Sequence, residues 1–294
     1  MKILAIGGTG MVGSMVVDGL LKQGANVRIM SHSPDKLKKL PAGAEGCRAD
    51  LDDPDTLPAA FEGIDSLFLL AAVGPNETDE GLCAVTAAKT ARVKKIVYVS
   101  VAMPKGSERI PHFRSKLPVE KAIKDSGIAY TILRPNNYFQ NDVWLKDAIM
   151  QYSIYPQPLG EKGVNRVDVR DIARCAINAL MKFGHEGRTY DIHGPDALTG
   201  EGIARIYTKH LGREVRYSGN DLDAWGEKVR NLMPEFMIPE MRIMYDFFQS
   251  SGMIASKDDL DQTQKILGRS PRPFDDFVKE ITVAWRSKTT KAAA

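Results

Sequence analysis

Cysteine is scarce in this chain of 294 residues: there are three, Cys47, Cys83 and Cys175. They stand far apart, with no Cys-x-x-Cys and no metal-ligand spacing. A disulfide framework and a thiolate metal centre are therefore not expected, and no metal is assigned. Long apolar runs are missing too. No stretch of about 18 apolar residues occurs, and no charged leader precedes an apolar segment, so neither a membrane span nor a signal peptide is expected. A cytoplasmic protein without membrane contact is the resulting expectation. An excess of one charge sign is also absent, since the net charge is +3 with acids and bases interspersed. Nucleic-acid binding needs basic residues gathered on one face. The densest basic pieces, Lys36-Leu-Lys38-Lys39 and Arg92-Val-Lys94-Lys95, read instead as helix C-termini, where cations complement the dipole. No internal repeat and no low-complexity segment is found.

What is present is ordinary in bulk, 43% hydrophobic and 26% charged, and long enough for one large domain with an appended lobe. The informative stretch is at the start. Ile3, Leu4, Ala5 and Ile6 run into a glycine turn and out into a helical pattern of Met11, Val12, Met15, Val16, Leu20 and Leu21. The glycines read both as Gly8-x-Gly10-x-x-Gly13 and as Gly7-x-x-Gly10-x-x-Gly13. In either reading Gly7, Gly8, Thr9, Gly10, Met11, Val12 and Gly13 form a strand–turn–helix whose bare amide N–H groups suit a pyrophosphate. The plainer account is a tight turn with no ligand.

The first 135 residues alternate short apolar runs with helical patterns. Strands are predicted at 2–6, 26–30, 46–49, 66–70, 95–99 and 130–133, with helices near 11–23, 54–61, 77–92 and 115–126. Nearly all-apolar strands separated by helices imply a parallel sheet covered on both faces. Six of them predict an α/β, doubly wound (Rossmann) sheet with its ligand at the carboxyl ends of the strands. Beyond Arg134-Pro135 the rhythm changes. A helix is predicted near 140–151, strands at 164–167, 189–192 and 215–217, and helices at 169–182 and 200–211. The remainder reads as mostly helical. These pieces suggest a smaller, mostly helical C-terminal lobe for substrate. The expected division is a dinucleotide-binding domain at 1–153, to which 164–193 contributes, a lobe at 154–288 and a frayed tail at 289–294.

In an NAD-binding unit an acid at the end of the second strand accepts from the ribose 2′-hydroxyl. Here that strand ends Arg28-Ile-Met-Ser31-His32-Ser33-Pro34-Asp35-Lys36, and no acid stands in place. Donors cluster instead: Arg28, Ser31, His32, Ser33 and Lys36. They suit a 2′-phosphate, so NADP(H) is favoured over NAD(H). Asp50, after the third strand, can accept from an adenine amino group, and Leu51 can pack on the ring. Asp53 is expected to cap the helix that begins at Pro54. Ala71, Ala72 and Val73, after the fourth strand, are small enough to let backbone pass close to the cofactor.

At this point several motifs coincide: Gly7-Gly-Thr-Gly10-Met-Val-Gly13, Val97-Tyr-Val-Ser100, His112-Phe-Arg-Ser-Lys116 with Glu120, Leu133-Arg-Pro-Asn-Asn-Tyr-Phe139-Gln-Asn141 and Val167-Asp-Val-Arg-Asp171. With them the chain resembles the NmrA-like branch of the atypical short-chain dehydrogenase/reductases over nearly its whole length. The resemblance implies a nucleotide-binding reductase or a cofactor sensor. Relatives include quinone reductases, triphenylmethane-dye and azo-dye reductases, isoflavone-reductase-like enzymes and NADPH-sensing regulators. Ordinary members of the wider superfamily carry Tyr-x-x-x-Lys, with tyrosine as proton donor. The corresponding stretch here is His112-x-x-x-Lys116. Keto–alcohol interconversion by the usual route is therefore in question, whereas hydride transfer to a conjugated acceptor needs orientation more than a strong acid.

Lys116 is expected to bond the nicotinamide ribose, and His112 to assist proton delivery. The plainer accounts are a solvated helix lysine and a helix-entry histidine after Pro111. Ser100, Pro135, Asn136, Asn137 and Phe139 are placed beside the nicotinamide or substrate, although Asn136 or Asn137 could equally be an N-cap. Asp171 is read as a helix-start carboxylate and not as catalytic. The residues from Leu222 to Met253, rich in Met and aromatics, suit either a roof over a flat substrate or the core of the lobe. The leading expectation is an NAD(P)H-dependent oxidoreductase acting on a small aromatic or conjugated molecule. The contrasting one is a cofactor sensor that binds a protein partner, and a homo-oligomer stays open.

Overall fold

The computed structural model describes residues 1–292. Seven strands form one parallel sheet: β1 (Lys2–Ile6), β2 (Asn26–Ser31), β3 (Ala44–Arg48), β4 (Ser66–Leu69), β5 (Lys95–Val99), β6 (Ala129–Pro135) and β8 (Arg188–Ile192), in the order β3-β2-β1-β4-β5-β6-β8. A separate two-stranded parallel ladder joins β7 (Ile154–Tyr155) to β9 (Arg216–Tyr217). The doubly wound sheet anticipated from the alternation of apolar runs is therefore present. The connection after β3 carries the chain across to β4 on the far side of β1. The ends of β1 and β4 thus flank a switch point, the place where such sheets bind ligands.

Two helical layers cover the sheet. On one face α1 (Met11–Lys22) packs on α8 (Val169–Met181) so closely that a Cβ on Gly19 would lie 2.3 Å from Ile177 Cδ1. With the sheet they bury Val16, Val17, Leu20, Val97, Leu133 and Ile172. After the short α2 (Pro34–Leu37) come the helices of the other face, α3 (Leu57–Phe61) and α4 (Glu77–Thr90). The short α5 (Pro111–Arg114) leads into α6 (Lys116–Asp125) on the same face, where Leu4, Phe61, Leu67, Val119 and Ile132 form the second core.

A third core belongs to the lobe. There a 3-10 segment (Phe139–Leu145), α7 (Lys146–Met150), β7, α9 (Gly200–Leu211), α10 (Leu222–Val229), α11 (Met237–Ser251) and α13 (Phe274–Ala292) surround Tyr155, Tyr207, Phe248 and Phe274. Between α11 and α13, α12 (Lys257–Leu267) returns to the sheet and packs on α8 and β8.

Two sequence-level expectations change. The strand expected at 164–167 is not a ladder, because its residues bridge different segments: Val164 meets Leu198 and Met253, and Val167 meets Tyr138. The helix expected near 140–151 is 3-10 up to Leu145 and α-helical only over α7. The final helix runs to Ala292, and residues 293–294 of the tail lie outside the described residues. Among the described residues no helix is long and apolar enough to cross a membrane, and the three cysteines are free thiols.

Candidate active site

The glycine turn sits at the end of β1. Gly7 has φ +79°, and a Cβ on it would lie 2.2 Å from Leu70 O, on the chain leaving β4. A Cβ on Gly13 would stand 2.0 Å from Gly7 O, whereas one on Gly10 would meet nothing closer than that same oxygen at 3.3 Å. The turn is closed by Gly10 N–H donating to Gly7 O at 3.0 Å. Gly7 and Gly13 are thus demanded by backbone contact, which favours the Gly7-x-x-Gly10-x-x-Gly13 reading; Gly8 meets only side chains, Ala5 Cβ at 3.0 Å first. Gly10 is different. It is exposed, it stands at the N-cap of α1 without a side-chain cap, and the first turn carries no acid. An uncapped helix start with the positive dipole end open is a cradle for an anion, and it fits a dinucleotide diphosphate.

Around this turn the strand ends supply the other predicted residues. After β2, His32 and Lys36 are exposed, and Ser31 Oγ accepts from Ser33 N–H at 3.2 Å. Asp35 is engaged by Lys38 at 3.0 Å. Arg28 has to be withdrawn from the donor set. It is buried, pairs with Glu45 at 2.8 Å and donates to the carbonyls of Ala59, Ala60 and Glu62, so it clamps β2 to β3 and α3. A basic residue that the sequence reading overlooked stands nearer: Arg48, the exposed last residue of β3, is the register partner of Ser31. Its only sequence signal is a cation at a strand end.

Past β3, Asp50 Oδ1 accepts from Asp52 N–H at 3.2 Å, and Leu51 packs at the margin of the second core. Asp53 does occupy an N-cap position, but its side chain makes no cap bond; the Thr56 hydroxyl ties this turn, donating to Asp53 O at 2.6 Å. Ala71 is buried while Ala72 and Val73 are exposed.

The other end of the site lies where β5 and β6 meet α5 and α6. Lys116 is 6% exposed and forms an ion pair with Glu77, the first residue of α4. Ser100 Oγ donates to Glu120 Oε1 at 2.7 Å, and Arg134 binds the same carboxylate in a bidentate fork, 2.8 and 2.6 Å. Burial opposes the Glu120 charge, but the hydrogen bonds from Arg134 and Ser100 outweigh it and hold the carboxyl below its usual range. Neither Glu77 nor the place of Glu120 in this network was legible, because each joins elements distant in sequence.

His112 is nearly buried, with Nδ1 3.3 Å from Glu240 Oε2 on α11. That nitrogen makes no hydrogen bond. Burial, reinforced by the Lys116 charge, pushes the imidazole down to about 4.

The loop after Pro135, itself buried, turns its polar groups inward. Asn136 donates to His193 Nδ1 and to Met253 O, both at 3.0 Å, and Asn137 Oδ1 accepts from Arg166 Nε at 2.9 Å. Phe139 must be corrected: it is fully buried between Phe274 and Phe277, with ring centroids at 4.9 and 5.7 Å, so its ring belongs to the lobe core and not to a cleft wall. Neither Asn136 nor Asn137 is an N-cap, because Tyr138 holds that position. Asp171 does stand in the first turn of α8, and its carboxylate is also taken by Arg269, Arg272 and the Arg272 N–H. The Met and aromatic stripe divides: Trp225, Met244, Tyr245, Phe247, Phe248 and Met253 are buried core, whereas Leu232 and Phe236 are exposed.

Two cavities lie away from the glycine turn. A groove of about 600 Å³ between α3 and α4 is lined by Leu57, Phe61, Cys83, Ala87 and neighbours, none of them a predicted site residue. A pocket of about 100 Å³ is lined by Asn136, Asp191, His193, Asp259 and the 102–104 loop.

With this geometry established, comparison with known proteins is informative. The model of the NmrA-like family matches residues 1–278. An NAD(P)H azoreductase from Xenophilus azovorans is 32% identical over 287 residues, covering 96% of this chain and 99% of its own. Among solved structures, a triphenylmethane reductase from Citrobacter sp. complexed with NADP(H) superposes with TM-score 0.85 at 25% identity, covering 95% of this chain and 99% of that one. An NADPH-dependent quinone oxidoreductase from Escherichia coli complexed with NADPH gives TM-score 0.87 at 24% identity with the same coverage, a likeness of fold.

Proposed function

Because the chain belongs to the NmrA-like family, we propose that this NAD(P)H-dependent oxidoreductase prefers NADP(H) and passes hydride to a conjugated or aromatic acceptor such as a quinone, a dye or an enone. The observation that carries the reading is the open, uncapped start of α1 at Gly10, beside a second strand that ends in serine, histidine and lysine instead of an acid. The diphosphate falls to the amides of the glycine turn. The 2′-phosphate falls to Ser31, His32, Ser33 and Lys36, with Arg48 added. Asp50 and Leu51 receive the adenine, and the backbone of Ala71, Ala72 and Val73 runs alongside.

The bound coenzyme supplies the hydride. The chain supplies placement. Lys116 directs N–H groups at the nicotinamide ribose, while Ser100 and Pro135–Asn137 brace the strand ends behind it. His112, neutral near pH 7, acts as a hydrogen-bonding partner for the acceptor more than as an acid. Nothing in this arrangement replaces the missing phenol, which is why the reading favours acceptors whose reduction needs little acid catalysis. The Rossmann part spans 1–153 with 164–193, and the lobe at 154–288 covers it.

Steady-state NADPH and NADH oxidation against a panel of quinones, azo dyes, triphenylmethane dyes and enones tests this. Turnover with at least one class, and a higher kcat/KM with NADPH than with NADH, is expected. Tight coenzyme binding without turnover on any class would replace the reading with that of a coenzyme-sensing regulator.

A further inference from the structure

Glu77 lies outside every motif in the sequence, yet it is among the most buried carboxylates, 1% exposed. It opens α4 directly after the turn that carries Ala72 and Val73. One carboxylate oxygen meets Lys116 Nζ, and the other accepts from Ser115 Oγ at 2.9 Å. The next residue reinforces the joint, Thr78 Oγ1 donating to Ser115 O at 2.8 Å. One turn later α4 and α6 touch, since a Cβ on Gly81 would stand 2.5 Å from Val119 Cγ2. The start of α4 is therefore bolted to the junction of α5 and α6, and Glu77 is the bolt.

A buried ion pair gains little net stability, because desolvation offsets the attraction. What this one does secure is direction. A lysine ammonium has three N–H donors on a flexible stem. Glu77 takes one, and among the described residues Nζ has no other acceptor. Two donors on a side chain that is 6% exposed are left without protein partners.

We infer that Glu77 is a positioning residue for the coenzyme. It fixes Lys116 in one orientation so that its two remaining N–H groups meet neighbouring hydroxyls of the nicotinamide ribose. This rests on the coenzyme reading given above. It also links the turn after β4 to the lysine, so that one carboxylate registers both walls of the coenzyme site.

Dissociation constants for NADPH and kcat and KM values measured on Glu77→Gln, Glu77→Asp, Lys116→Met and the double variant Glu77→Gln/Lys116→Met test the inference. Glu77→Gln should weaken NADPH binding about 10- to 100-fold and raise the coenzyme KM, leaving the acceptor KM within about twofold. In the Lys116→Met background the same change should add less than about twofold, because the group it positions is gone. Glu77→Asp should recover most of the loss. An equal loss in both backgrounds, or none in either, overturns the inference. If Glu77→Gln does not fold, Glu77→Asp and the double variant complete the comparison.

Should the parent protein bind neither NADPH nor NADH, the coenzyme reading fails on its own account. The orientation is then read without coenzyme, by NMR of ε-15N-lysine protein. One ammonium resonance protected from solvent exchange in the parent and lost in Glu77→Gln supports the inference; its absence from the parent overturns it.

Discussion

At the scale of single residues, the glycines of the first turn separate fold from binding. Gly13 has no room for a methyl group, since a Cβ there would lie 2.0 Å from Gly7 O, whereas at Gly10 the same oxygen stands 3.3 Å away. Gly13→Ala should therefore cost about 1–3 kcal/mol or more in urea unfolding. Gly10→Ala should unfold within about 0.5 kcal/mol of the parent and still lose coenzyme affinity, because its methyl occupies the anion cradle. Equal unfolding midpoints for the two variants would contradict this. The same scale decides coenzyme choice. Lys36→Ala and Arg48→Ala should each lower the NADPH-over-NADH preference about tenfold, read as the ratio of dissociation constants and weakened by added salt. An unchanged ratio in both would move the 2′-phosphate elsewhere. Ser31, His32 and Lys36 could be read as candidate donors because they follow a strand end, whereas Arg48, also at a strand end, escaped that reading. Arg28 misled because nothing in its neighbours announces Glu45 and the α3 carbonyls, which are contributed from other elements.

At the scale of elements, β1, β4 and β5 could be read because each is an apolar run of its own, whereas β3, Ala-Glu-Gly-Cys-Arg, carries little such signal. The lobe could not be read as well. Its central joint is a set of single bridges and side-chain bonds instead of ladders. Arg166 is its hub: fully buried, it binds Asp142 at 2.8 Å, donates to Asn137 Oδ1 and lies over Phe274 at 5.3 Å. Tyr207 adds a bond to Asp142 at 3.1 Å. No local pattern marks a charge that will be buried 24 residues from its partner. Breaking this pair from one side strands a buried charge, so Asp142→Asn and Arg166→Met should each destabilise the fold by about 3–5 kcal/mol. The exposed pair Arg109–Asp246 should matter by less than about 1 kcal/mol when Asp246 is replaced by Asn. Chemical denaturation of the three variants checks the contrast, and similar losses for buried and exposed pairs would refute it.

At the scale of the whole molecule, buried histidines and buried carboxyls pull the response to acid in opposite directions. Burial pushes His112 and His193 down to about 4, below the value near 6.5 of an unfolded chain. Between these values the unfolded state binds more protons, so stability should fall as pH drops from about 6.5 towards 4. Asp191 works the other way. Burial raises it to about 6, so its folded form keeps a proton that the unfolded form releases, and acidification below about 6 favours the fold there. Asp171, raised to about 7 by burial, acts in the same direction as Asp191. Relative to the parent, urea midpoints should fall less on acidification for His112→Gln/His193→Gln and fall more for Asp191→Asn; pH profiles that coincide with the parent's in both variants would refute the assignment. The overall division into a nucleotide-binding sheet and a helical lobe was visible as a change of rhythm after Pro135. The return of β8 to the sheet edge, beside β6 in parallel register, explains why the 164–193 segment resists a clean boundary. The same excursion orders events on the ribosome. Nascent chain up to β6 has a sheet edge open to stray pairing, and that edge stays bare until some fifty further residues have emerged to deliver β8. Stalling translation between Pro135 and Arg188 should thus leave the species most prone to aggregate and most in need of a chaperone.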